Sequence, residues 1–88
     1  MNITIVGLGK IGVPLAVQFA SKGAVVTGYD ISAARVDQIN AKHNPLPSEP
    51  GLDEKLPGLV VSGRLRATTG PRDAVADADI RVLLDVDA

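Results

Sequence analysis

Residues Gly7-Leu8-Gly9-Lys10-Ile11-Gly12 follow directly on the apolar run Ile3-Thr4-Ile5-Val6, and Asp30 stands eighteen positions beyond the third glycine of the set. No other feature constrains the chain as much. The first glycine permits a tight turn off a strand, the second lets backbone approach a bound anion, and the third lets a helix pack against that strand. A helix beginning near Lys10 would point its unpaired N–H groups and the positive end of its dipole at the same place, where phosphates bind without a cationic side chain. The pattern is that of a site for the pyrophosphate and ribose of a dinucleotide.

In a chain with nine glycines the spacing alone is weak, so the flanking elements decide its weight. Ile3, Ile5 and Val6 form a β-rich run. Ile11, Leu15 and Phe19 then recur at four-residue spacing with Ala16 and Ala20 beside them, which predicts the buried face of a helix. Lys22-Gly23 closes that helix, with Gly23 suited to a left-handed C-terminal position. Val25-Val26-Thr27-Gly28-Tyr29 is the second strand and delivers Asp30 at its end. A carboxylate there accepts hydrogen bonds from ribose hydroxyls and repels a 2′-phosphate, which favours NAD over NADP. Two readings stay open for Arg35, one turn into the next helix: a cofactor contact near the ribose, or a residue on a solvated helix face. Asp30 has an alternative as well, as a helix cap in competition with Ser32.

Beyond Asp30, Ser32 is placed to cap a second helix through Val36, Ile39 and Ala41, ended by His43-Asn44-Pro45. Pro45, Pro47, Pro50 and Gly51 punctuate a loop that should cross the sheet edge, and Leu52–Leu56 offers one or two helical turns before Pro57-Gly58. Leu65–Thr68 is a short third strand, Pro71 opens a third full helix through Ala76, and Ile80–Leu84 is the last strand. Strands alternating with helices imply an α/β fold of Rossmann type: about four parallel strands in order 3-2-1-4 with flanking helices. The ligand crevice is expected between the first and fourth strands at their carboxyl edge.

Composition narrows the partners. The 88 residues, 45% of them apolar, suit one small domain over 1–88 with a modest core. A formal net charge of −1, with Phe19 and Tyr29 as the only aromatics, offers neither an electrostatic footprint nor stacking platforms for nucleic acid. Without cysteine there is no disulfide, thiolate metal site or cysteine nucleophile in this chain, in keeping with a reducing cytoplasm. No signal peptide or membrane span is expected. The single histidine, His43, has no partner at ligand spacing and is expected to be exposed at a helix end. Asp77, Asp79, Asp85 and Asp87 suit loop and strand boundaries better than a metal cage.

Several blocks together carry a family resemblance: Gly7–Ala16, Gly28-Tyr29-Asp30, Arg35-Val36, Glu49-Pro50-Gly51-Leu52, Gly63–Thr69 and Ala78-Asp79. The chain resembles the N-terminal, NAD-binding domain of the UDP-glucose/GDP-mannose dehydrogenase family over nearly its whole length. The first block alone is shared with 3-hydroxyisobutyrate and 6-phosphogluconate dehydrogenases; the later blocks favour the nucleotide-sugar branch. The resemblance implies a parent enzyme that oxidises a UDP- or GDP-sugar to the uronic acid in two NAD-dependent steps, through a thiohemiacetal on a cysteine that this chain lacks. It carries over only cofactor residues: Gly7, Leu8, Gly9, Lys10, Ile11, Gly12, Asp30 and Arg35, with Lys10 and Ile11 contributing backbone N–H groups. The chain departs from the family at Asp85-Val86-Asp87-Ala88, where a Val-Pro-Thr-like segment is usual, and at Gly70, where an acid is common. By itself the chain, as a fragment, is expected to bind NAD without turning over substrate. Its partners would be the remainder of the parent enzyme, or another copy through an exposed sheet edge. Two alternatives remain: a complete small enzyme or subunit whose catalytic residues come from a partner chain, and a module that keeps the glycine turn for packing and binds nothing.

Overall fold

The computed structural model describes residues 1–84. Four parallel strands, β1 (Asn2–Val6), β2 (Val25–Tyr29), β3 (Leu65–Thr68) and β4 (Ile80–Leu83), form one sheet in the order β3-β2-β1-β4. The helices are α1 (Gly12–Ser21), α2 (Ala33–Asn40), α3 (Leu52–Val61) and α4 (Pro71–Val75). This is the expected architecture and strand order.

Crossover handedness decides which side each helix takes. The chain moves in one direction from β1 to β2 to β3, so right-handed connections put α1, α2 and α3 on one face. It then reverses to reach β4 on the far side of β1, which sends α4 to the opposite face. The apolar core lies on the three-helix side. Ile3 and Ile5 of β1, Val26 of β2, and Leu65 and Ala67 of β3 meet Val13, Ala16 and Val17 of α1, Val36 and Ile39 of α2, and Leu52 and Leu56 of α3. Each large apolar side chain fully buried there contributes about 1.5–3 kcal/mol.

Three local expectations are corrected. Helix α1 starts at Gly12 rather than near Lys10, and Ile11, its N-cap, is 58% exposed instead of lying on the buried face. The buried stripe is Val13, Ala16, Val17 and Ala20, with Leu15 and Phe19 only partly covered. Two overlapping four-residue spacings compete in this segment, and the smaller residues win because the helix lies close against the sheet.

The second correction concerns Pro57 and Gly58, which do not end α3 but lie inside it. Proline removes one helical N–H, yet burial of Leu52 and Leu56 on the near side, with Leu59 and Val60 packed beyond the proline, carries the helix through. It stops at Gly63, whose φ of +81° allows Arg64 N–H to donate back to the Leu59 carbonyl at 3.0 Å. The proline-punctuated loop therefore leads into a helix that joins the layer beside α1 rather than merely rounding the sheet edge.

The third is the end of α2. The helix stops at Asn40, ahead of His43-Asn44-Pro45, and Ala41 is an exposed C-cap. Lys42 takes the left-handed conformation at φ +70°, and His43 N–H returns to the Gln38 carbonyl at 2.9 Å. His43 is exposed at this helix end, as expected. Asn40 then turns to the free edge of β3, where its side-chain amide both donates to the Ala67 carbonyl at 2.8 Å and accepts the Ala67 N–H at 2.9 Å. The side chain thus satisfies an edge that no strand covers.

Candidate functional site

At the carboxyl ends of the strands a cavity of about 350 Å³ opens. Its walls are Val6, Gly7, Leu8 and Gly9 leaving β1, Tyr29, Asp30, Ile31 and Ser32 leaving β2, Arg35 on α2, and Leu84 just past β4. The crevice is therefore at the expected edge, but it extends over β1 and β2 rather than being confined between β1 and β4. Leu84 closes the β4 side.

Gly7 and Gly12 take the turn and packing roles their spacing predicts. Gly7 has a φ of +108°, and its N–H donates to the Tyr29 carbonyl at 2.8 Å, so the turn leaves β1 while still tied to β2. Gly12 does not line the cavity: a Cβ there would fall 1.7 Å from the Gly7 carbonyl oxygen, so this glycine is what lets α1 start against the turn. A fourth glycine matters for a reason the motif does not state. At Gly28 a Cβ would come 2.5 Å from Leu8 Cδ2, and the Leu8 side chain, 2% exposed, occupies that space.

Asp30 is half-buried at the end of β2. Its Oδ2 accepts the Leu8 N–H and its Oδ1 the Ser32 N–H, both at 2.9 Å. A carboxylate offers about four lone-pair directions, so both oxygens retain capacity for ribose hydroxyls. The helix-cap alternative falls to Ser32, whose Oγ accepts the Arg35 N–H at 3.2 Å as the N-cap of α2. Arg35 is half-buried, and its Nη1 donates to the Leu8 carbonyl at 2.7 Å.

Lys10 is exposed, and neither it nor Ile11 lines the cavity. The backbone N–H groups of Gly9, Lys10 and Ile11 have no acceptor among the described residues, as expected for donors at the start of a helix. Tyr29, Ile31, Ser32 and Leu84 belong to the cavity although the sequence marks none of them as ligand residues. Adjacency to Asp30 was the available signal for the first three; Leu84 arrives only because β4 pairs with β1. Of the C-terminal aspartates, Asp79 accepts the Asn2 N–H at 2.8 Å and the Asp77 carbonyl accepts from the Asn2 side chain at 3.1 Å, both tying down the start of β1. Asp85 and Asp87 lie outside the described residues. Among the described residues no group of three or more His, Cys, Asp or Glu side chains could hold a metal ion, and no helix is long and apolar enough to cross a membrane.

Comparison with known proteins decides the family. Residues 1–86 match the NAD binding domain of the UDP-glucose/GDP-mannose dehydrogenase family. The chain belongs to this family. GDP-mannose 6-dehydrogenase of Azotobacter vinelandii is 43% identical over 94% of the chain, which covers 19% of that protein. UDP-N-acetyl-D-mannosamine dehydrogenase of Pyrococcus horikoshii is 38% identical over 83% of the chain, and 17% of its own length is covered. Among solved structures, GDP-mannose dehydrogenase of Pseudomonas aeruginosa, a ternary complex, superposes with a TM-score of 0.91 at 36% identity, over 97% of this chain and 19% of that one. The chain thus spans about a fifth of its relatives' length and is an NAD-binding domain of nucleotide-sugar dehydrogenase type.

The cavity of this NAD-binding domain suits the cofactor on grounds of its own. A turn with glycine at positions 7 and 9 borders it, three N–H groups without an acceptor among the described residues lead into α1, and a carboxylate with spare acceptor capacity stands at the end of β2.

Proposed function

We propose that this chain is the NAD site of an enzyme that oxidises the primary alcohol of a UDP- or GDP-linked sugar to the uronic acid. The observation that carries the proposal is the placement of Asp30 beside the Gly7–Gly9 turn in one cavity, in a chain matched almost end to end by this family. When bound, NAD supplies the hydride acceptor. In this reading the turn and the N–H groups of Gly9, Lys10 and Ile11 bind the pyrophosphate, Gly12 keeps α1 close enough to present them, Asp30 takes the adenosine ribose hydroxyls, and Arg35 borders the cavity while bonded to the Leu8 carbonyl.

Residues 1–88 act as one cofactor domain, and the groups that hold the sugar and move its proton belong to the remainder of the parent enzyme. That remainder, or a second copy, would pair with the free edge of β4, where Ile80 and Leu83 are exposed. A cytoplasmic setting with free NAD fits a chain without cysteine.

Titration of the 88-residue chain with NAD and with NADP at equal ionic strength, followed by backbone amide spectra, tests the proposal. Saturable changes at Gly7–Gly12 and Asp30, tighter for NAD by about tenfold or more, are expected from one repelled phosphate. A well-dispersed spectrum that responds to neither would leave a packing module, and turnover of a UDP- or GDP-sugar by the chain alone would overturn the division of labour.

A further inference from the structure

Asp30 and Arg35 meet at the main chain of Leu8 rather than at each other. Among the described residues the only ion pair is Arg66 with Asp73, so the Arg35 cation is not paired with the carboxylate on the same cavity wall. Its Nη1 goes to the Leu8 carbonyl at 2.7 Å, while Asp30 takes the Leu8 N–H at 2.9 Å. Ser32 closes the circuit, giving its N–H to Asp30 and accepting the Arg35 N–H. Four hydrogen bonds thus form a ring through Leu8, Asp30, Ser32 and Arg35. With its side chain seated over Gly28, Leu8 is held at three points: N–H, carbonyl and side chain.

We infer that Arg35 is a positioning residue of the NAD site: it sets the Leu8–Gly9 peptide, and it is not the counter-ion of a ribose 2′-phosphate. The physical argument rests on peptide planarity. In a planar trans peptide the direction of the Leu8 carbonyl dictates that of the Gly9 N–H, so a guanidinium gripping the carbonyl orients the next donor of the turn. A cation bonded to a carbonyl gives a charge-assisted bond, stronger than a neutral one, which suits the holding of a turn that has no side chains of its own at Gly7 and Gly9. Asp30 then has two duties, fixing the turn through one lone pair of Oδ2 and receiving the ribose through others. This inference rests on the proposed NAD site for its ligand predictions, but the clamp itself exists without ligand.

Amide spectra and hydrogen exchange of the whole chain, as wild type, Arg35→Gln and Arg35→Lys, test it in two stages. In ligand-free protein the Leu8 and Gly9 amide signals should move in Arg35→Gln, and Leu8 N–H exchange should quicken by about tenfold, as expected for loss of one charged hydrogen bond. On titration, NAD should weaken by about tenfold while adenosine stays within about twofold, and the ratio of NADP to NAD affinity should not change. Arg35→Lys, which keeps one cationic donor, should recover most of the loss. Equal weakening of NAD and adenosine, selective loss of NADP, or unmoved Leu8 and Gly9 amides would each overturn the inference. Should wild type bind no NAD, the proposed function fails, and the ligand-free amides still decide the clamp: movement sustains it and constancy overturns it. Should Arg35→Gln fail to fold, Arg35→Met, which keeps the apolar stem and no donor, takes its place, with a shifted Leu8 amide sustaining the clamp and unchanged Leu8 and Gly9 amides overturning it.

Discussion

On one face of the sheet Ile3, Ile5, Val26, Leu65 and Ala67 meet three helices in a continuous apolar layer, whereas on the other Asn2, Thr4, Thr27 and Arg66 face only the five-residue α4. All-parallel sheets are usually covered by helices on both sides and their strands are apolar throughout. Here the alternation is partial: it sets an apolar packed face against one that mixes Thr4, Thr27 and Arg66 with Val6, Val25 and Tyr29. The difference teaches that the core of this domain is the work of α1, α2 and α3, while the α4 face is joined by polar links. Thr4 is the main one. Its hydroxyl, 1% exposed, donates to the Ala74 carbonyl and so ties β1 to α4 through the sheet's polar side.

The contrast can be broken most decisively by truncating one apolar residue on each face. Ile5→Ala removes a side chain that is 0% exposed, and the expected cost of about 2–5 kcal/mol is a large part of the total for a small domain. Leu83→Ser, on the α4 side of the edge strand and 76% exposed, should stay within about 0.5 kcal/mol. Urea unfolding of the two variants makes the comparison, and similar losses would erase the distinction between the faces.

A smaller effect sharpens the picture of how α4 is held. Thr4→Val keeps shape and removes the hydroxyl, leaving the Ala74 carbonyl without that donor, at an expected cost of about 1–3 kcal/mol. Unfolding curves that coincide with wild type would show instead that α4 is retained by packing of Ala74 alone.

The smallest effect concerns Asp73 of α4. A hydrogen bond from Arg66 at 2.9 Å, with further help from Thr68 and from the Arg66 charge, holds its carboxyl below the usual range. A lowered folded pKa adds stability that is complete above the unfolded value, about 3.9, and is lost as pH falls through the folded one. Because Asp73 is exposed at the surface, the contribution is slight. Melting temperatures of wild type and Asp73→Asn should therefore converge as pH drops below that range. A gap that widens on acidification would reverse the assigned sign.

Much of this was legible in the chain itself. The limits of β2 and β3, the strand order, Ser32 as a cap and Gly23 as a left-handed stop all follow from local chemistry: strand-forming runs, a side-chain oxygen before a helix, a glycine after one. Where local signals competed, reading failed. Pro57 is a stop signal by backbone chemistry, but Leu52, Leu56, Leu59 and Val60 bury enough surface to override it. Ile11 continues a four-residue spacing and yet faces solvent, because the close packing of α1 selects smaller residues.

The site divides in the same way. Three glycines at fixed spacing and an acid after the second strand are chemical requirements of this turn, so the sequence by itself determined that a glycine turn with a carboxylate beside it would form. That the Asp30 carboxylate and the Arg35 guanidinium both close on Leu8, that Gly28 makes room for its side chain, and that Leu84 completes the wall were decided by tertiary structure alone. Spacing along a chain specifies turns and helix faces. Which polar groups meet across it depends on the crossing of α2 over β2 and the pairing of β4 with β1, and those are set by packing.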